Sequence, residues 1–322
     1  MRALTITALA LSAVGCASSD ELRFTSTLDA EVNGLRLTAN GLDAVAAMAG
    51  TTCTIDTNWG CPVADADLPT EAERIVDLFE GTTVATTDDG VHIIRDSEWI
   101  KSEDMSLPNV QMAGADTGGL VTVAGTETDC AFRQGQASVA VDGALCADGM
   151  TYSFDREGGR VFAAGNGQVF VVSAEGSTQI SDAHDLASFD AASDALFVSS
   201  AGGFEVSRMA VDGSVAWTHT VEGPVVSLAA RGTLGQALVL TEGNDGYGRL
   251  ERLDGADGDR LAFSRIPTFD RQLEVSENGA KVAMITPSEV HFYEMDAGIE
   301  ALPVDETPVT CIVPTQTRRV TD

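Results

Sequence analysis

Two acidic clusters stand at spacings that suit divalent-cation chemistry. Asp182, His184 and Asp185 fall within DAHD, and Asp254, Asp257 and Asp259 within DGADGD. Carboxylate oxygens are the ligands of calcium, and imidazole adds affinity for transition metals. A calcium loop needs five or more oxygen ligands and a closing bidentate acid. In the second cluster the acids stop at Asp259 and Arg260 follows at once. That stretch therefore reads as a turn joining two alternating strands. The first cluster makes a metal site only if other parts of the chain lend ligands. The expectation is no metal and no cofactor, with calcium as the alternative at these residues.

Covalent chemistry has little support. The histidines are His92, His184, His219 and His291, and no two share ligand spacing. His92 and His291 sit in strand-like runs, GVHII and EVHFY. There is no nucleophile elbow, Walker loop or HExxH. The turn GADTGG at residues 114–119 lacks a following helix and so is no phosphate cradle. No catalytic residue is assigned.

The cysteines point to an exported chain. Arg2 precedes an apolar run over residues 3–14, too short for a permanent membrane helix and suited to an export signal. Ala13-Val14-Gly15-Cys16 follows. This resembles the lipobox of bacterial lipoproteins, with Ala13 in place of the usual leucine. The resemblance implies lipidation of Cys16, whose thiolate is readily alkylated. Acyl chains would then hold the protein to a membrane at about 0.8 kcal/mol per buried CH₂. The alternative is ordinary cleavage near Gly15 or Ala17. Residues 1–15 form the signal and 16–35 a tether that includes a closing strand. By resemblance to enteric lipoproteins, the residues after Cys16 favour the outer membrane, periplasmic or surface-facing. Cys53 with Cys61, and Cys130 with Cys146, are disulfide candidates in such a compartment. Cys311 is left over.

The net charge of −30 over 322 residues excludes nucleic acid, since phosphate would be repelled. It also disfavours direct adsorption to anionic lipid. Only Lys101 and Lys281 are lysines, so the basic side is nearly all arginine.

The elements that must position these residues are strands. Runs such as VFAA, QVFVV, ALFV, ALVL and KVAMI alternate with Gly, Asp, Asn and Ser. Asp89-Gly90, Asn166-Gly167, Asp212-Gly213 and Asn278-Gly279 are hairpin turns, because these residues tolerate positive φ. Residues 71–79 fit a helical turn or two, or a strand entry. Strand-turn-strand units start at Leu42, Ile75, Asn109, Met150, Ala187, Val225 and Arg271, roughly 40 residues apart. That period predicts an all-β chain, a seven-bladed β-propeller of four-stranded antiparallel sheets, with six or eight blades as alternatives. The propeller occupies residues 36–314 and residues 315–322 form a tail. Residues 22–27 or 309–313 would supply the strand that closes the ring.

Within each unit, SRMAVDGSVAWTH and LERLDGADGDRLAF share one plan of strand, Asp-Gly turn and strand, followed by an aromatic, Trp217 or Phe263. This resembles the repeat of PQQ-type and WD40-type propellers. Enzymes of the PQQ group stack their cofactor on tryptophan beside adjacent cysteines. Trp59, Trp99 and Trp217 lack that setting, so the resemblance implies the fold alone. The form also resembles the propeller lipoprotein of the outer-membrane assembly machinery.

Two functions follow as expectations. One is a non-catalytic, membrane-anchored scaffold, monomeric or within a complex, that recognises an envelope protein or polysaccharide. The other is a lactonase-like metal-dependent hydrolase or lyase with its site in the central channel. Loops around Trp59 and residues 65–67 are candidate contacts.

Overall fold

The second strand of a repeat is the clearest reason for the architecture. ALFVS (Ala195–Ser199) is buried along its whole length, and RVFAAG (Arg160–Gly165) is buried after its first residue. Side chains of a strand point alternately to the two sheet faces. A strand that is buried on both faces must therefore be covered on both sides, which a blade standing between two others achieves.

In a computed structural model of the chain, the residues described are the strands of residues 21–101 and, apart from short loop segments, residues 109–295. They form seven four-stranded antiparallel sheets. The first contains β2 (Val32–Leu37), β3 (Asp43–Met48), β4 (Thr51–Asp56) and β5 (Val63–Asp67). The second contains β6 (Ala72–Phe79), β7 (Thr82–Thr87), β8 (Gly90–Arg95) and β9 (Glu98–Lys101). The third contains β10 (Val110–Asp116), β11 (Gly119–Thr126), β12 (Asp129–Gln134) and β13 (Ala137–Ala140). The fourth contains β14 (Thr151–Asp155), β15 (Arg160–Gly165), β16 (Gln168–Ser173) and β17 (Gly176–Ser181). The fifth contains β18 (Leu186–Asp190), β19 (Ala195–Ser199), β20 (Glu205–Ala210) and β21 (Val215–Thr220). The sixth contains β22 (Val225–Ala230), β23 (Gln236–Glu242), β24 (Gly248–Asp254) and β25 (Arg260–Ile266). The seventh joins β26 (Gln272–Val275), β27 (Lys281–Ile285) and β28 (Glu289–Glu294) to the N-terminal strand β1 (Glu21–Thr27).

First strands neighbour one another around the array: β2 with β6, β6 with β10, β14 with β18, β18 with β22, β22 with β26, and β26 with β2. The third and fourth sheets meet through a shared core cluster. The ring is sealed by β1, which pairs with β28 with Phe24 opposite Phe292 and Thr25 opposite His291. Of the two closing segments expected from the sequence, the one at residues 22–27 fills this place, and residues 309–313 lie outside the described residues.

The core lies between sheets. Phe162 and Ala164 of β15 pack with Leu196 and Val198 of β19. Val161 and Ala163, on the opposite face of β15, pack with Val121, Val123 and Phe132. Phe197 of β19 faces the other way, toward Ala237 and Val239 of β23. Leu238 and Leu240 then meet Val282 and Met284 of β27. Serines repeat a polar clamp beside this packing. The Phe189 N–H donates to Ser153 Oγ at 2.9 Å, and the Ala230 N–H donates to Ser188 Oγ at 2.8 Å.

One repeat start is corrected. The first sheet begins at Val32, not Leu42, which lies just before its second strand. A bulge between Val32 and Gly34 interrupts the register of β2, as one does in β6, β10 and β22. Residues 72–79 are a strand, which removes the helical alternative for that segment. Asn166-Gly167 makes the expected tight hairpin, with φ of 53° and 76° between the paired residues Gly165 and Gln168. Gly213 (φ 86°) and Gly279 (φ 68°) also use the left-handed region. Asp89 and Asn278 lie outside the described residues.

Candidate functional site

β17 ends at Ser181 and β18 begins at Leu186, so residues 182–185 form the connection between the fourth and fifth blades. Short polar residues suit such a loop because their side chains satisfy nearby backbone groups. Ser181 Oγ lies 2.7 Å from His184 Nδ1 and also accepts the Ala183 N–H. Ser200 Oγ donates to Ala183 O at 2.6 Å. Asp185 ties the loop to both blades: its Oδ1 accepts the Gly167 N–H and its Oδ2 the Ala201 N–H. Both oxygens of that carboxylate thus hold backbone. Half-burial lowers the His184 pKa below its ordinary 6.5, an effect that Asp185 and Asp182 oppose.

The adjoining turn, residues 200–204, is stitched forward to the sixth blade. The Gly202 N–H donates to Val225 O, and the Val225 N–H donates to Gly203 O at 2.8 Å. Gly202 has φ of 71°. A side chain there would be strained, so glycine suits the turn. Beside it is a hollow of about 300 Å³ lined by His184, Ser200, Gly203, Phe204, Glu205, Ser207 and Thr220. Phe204 is 51% exposed. Ser207 and Thr218 share a hydroxyl contact of 2.8 Å, which fixes one wall. The lining has one carboxylate, several hydroxyls, one imidazole and one open aromatic face. It contains no lysine or arginine.

Asp254, Asp257 and Asp259 lie elsewhere. They leave the third strand of the sixth blade, and the antiparallel order puts them at the opposite end of the blades from residues 182–185. Asp254 Oδ1 accepts the Ala256 N–H at 2.8 Å, and Asp257 Oδ1 accepts the Asp259 N–H at 2.9 Å. The Gly258 N–H closes the turn on Asp254 O. These carboxylates shape a hairpin. Among the described residues no three His, Cys, Asp or Glu side chains gather as a metal-binding group.

The remaining expected positions are dispersed. His219 lies in β21 opposite Val206, His92 in β8 and buried His291 in β28. Cys130 and Cys146 are joined, with Cα atoms 5.8 Å apart, where a 3₁₀ turn at Gly143–Cys146 packs on the third sheet. Cys53 lies in β4 and residues 65–67 end β5. Cys16, Trp59, Cys61 and Cys311 lie outside the described residues.

Sequence reading missed Phe204, Glu205, Ser200 and Thr220. The one local signal is the Gly202-Gly203 pair placed directly before an aromatic and an acid. Thr220 comes to the hollow only because β20 and β21 pair with Glu205 opposite Thr220.

No family model and no curated protein matches this sequence. A chain in the crystal structure of a mitotic checkpoint complex is similar in structure, with a TM-score of 0.66 at 11% identity, covering 91% of this chain and 99% of that one. At that identity the likeness shows the fold alone. The chain has the fold of a β-propeller.

Proposed function

We propose that this propeller is a non-catalytic recognition scaffold of the bacterial envelope, exported, lipidated at Cys16 and held at the outer membrane. The observation that carries the reading is the closed ring whose connecting loops are pinned to two blades at once. Asp185 bonds to turns of the fourth and fifth blades, and Gly202 and Gly203 bond to the sixth. A surface ordered in this way before binding loses little entropy on meeting a partner. Propellers present such loop faces for recognition, and the WD40-like fold supports a protein partner in general. The lipobox-like residues before Cys16 support the anchor. Acidity supports a soluble body that neither nucleic acid nor anionic lipid attracts.

The test is capture from detergent-solubilised envelope by the tagged, full-length protein, followed by identification of what is retained. A saturable, specific partner supports the scaffold. Retention of nothing above a control at any salt concentration overturns it. Mass analysis of the mature N-terminus tests the anchor separately: acylated Cys16 is expected, and a free amino end at residue 16 or 17 overturns the lipoprotein reading.

A further inference from the structure

The hollow beside Phe204 has a chemistry that the general scaffold role does not specify. Its open walls offer the Glu205 carboxylate, hydroxyls of Ser200 and Thr220, and the flat face of Phe204. Glu205 and Phe204 are both exposed, so neither is used up by packing. Ser200 Oγ donates its proton to Ala183 O, which leaves its lone pairs able to accept. One of the Ser207 and Thr218 hydroxyls donates to the other, and the pair serves as wall.

We propose that this hollow receives the guanidinium of an arginine presented by a protein partner. The inference rests on the scaffold reading and deepens it by naming the feature recognised. A guanidinium carries five N–H donors in a plane and no acceptor. The lining is the complement: acceptors around an aromatic face, with no cation to repel the ligand. Stacking on Phe204 uses the ring's negative face, while Glu205 takes a charge-assisted hydrogen bond from the edge. Asp182 stands on the same connection as His184, and the −30 charge of the whole chain steers a basic group inward. A volume of about 300 Å³ accommodates one side chain and little more. A phosphate or carboxylate ligand fails on the same grounds, because its charge meets Glu205. A neutral sugar would stack on Phe204 but would draw nothing from the carboxylate's charge.

The experiment titrates the full-length protein with N-acetylarginine methylamide and follows the His184 ring signals by NMR. The four histidines make assignment by a His184→Gln variant direct. A saturating shift is expected, weakened about tenfold in Glu205→Gln through loss of one charge-assisted hydrogen bond. Phe204→Ala weakens it as well, and N-acetylglutamate methylamide gives no shift. Both substituted side chains are exposed, and an unchanged melting temperature shows that the variants fold. An absent His184 shift, an equal shift in Glu205→Gln, or a response to neutral oligosaccharide in place of arginine overturns the proposal. Envelope capture repeated with the Phe204→Ala/Glu205→Gln double variant separates the two readings. Equal capture by wild type and variant overturns the arginine pocket while the scaffold stands. Loss of capture in the variant alone supports both.

Discussion

The indole N–H of Trp217 donates to the carbonyl of Gly255 at 2.8 Å, across the boundary between the fifth and sixth blades. Gly258, in the same turn, comes so near the indole that a Cβ there would lie 2.8 Å from the ring. Trp217 also leans on Phe197 within its own blade, with centroids 6.0 Å apart. One tryptophan thus joins an edge strand to its own core and to the next hairpin. Trp217→Phe is expected to cost about 1 kcal/mol through the lost hydrogen bond. Gly258→Ala is expected to cost more, because φ of 80° and the indole both oppose a side chain. Urea unfolding of the two variants checks the order, and equal stability in Gly258→Ala contradicts it.

Arg231 is 2% exposed, a burial that charge makes costly unless the group is held on several sides. Its Nε donates to Gly279 O of the seventh blade at 2.6 Å, and its Nη1 donates to Gln236 Oε1 at 2.7 Å. Arg231→Ala leaves those acceptors buried and is expected to cost about 3 kcal/mol or more. Arg231→Lys recovers only part, since an ammonium cannot reproduce the planar fork. Chemical denaturation of both variants reads the difference.

The seam depends on β1. Thr25 stands opposite His291 in the β1–β28 ladder, and a proline there removes a backbone donor and splays the strand. Thr25→Pro is expected to open the ring at this one sheet. Limited proteolysis should then cut first near β28. An unaltered digestion pattern would show that the ring holds without this strand.

His184 provides a pH handle. Burial lowers its folded pKa below 6.5, so the unfolded chain binds the proton more readily. The stability this residue contributes is full above 6.5 and falls as the pH drops through the lowered folded value. An NMR titration of the His184 ring should give a midpoint under 6.5. Asp182→Asn should lower that midpoint further, because Asp182 favours the charged imidazole.

The bridge between Cys130 and Cys146 closes a 16-residue separation and fastens the 3₁₀ turn to the third sheet. Its loss is expected to cost about 3 kcal/mol on the chain-entropy argument. Melting with and without reductant measures this, and Cys130→Ser/Cys146→Ser should match the reduced protein.

Much of the ring is legible in the chain itself. Continuous apolar runs such as ALFVS and ALVL mark second strands, because such a strand has no polar face to give to water. Asn166-Gly167 and Gly213 mark hairpins, because few other residues accept their positive φ angles. The repeat starts at Asn109, Met150, Ala187, Val225 and Arg271 fall within a residue of their first strands, whereas Ile75 lies inside β6 and Leu42 lies past β2 altogether. The candidate site is a different matter. His184 and Asp185 stand out by type, yet their partners Ser200, Glu205 and Thr220 come from other turns and strands. Periodicity reports which face of a strand is buried, since that is a local property of the pleat. It carries no account of which loops meet, because that depends on where each blade's turn falls against its neighbour once the ring has closed.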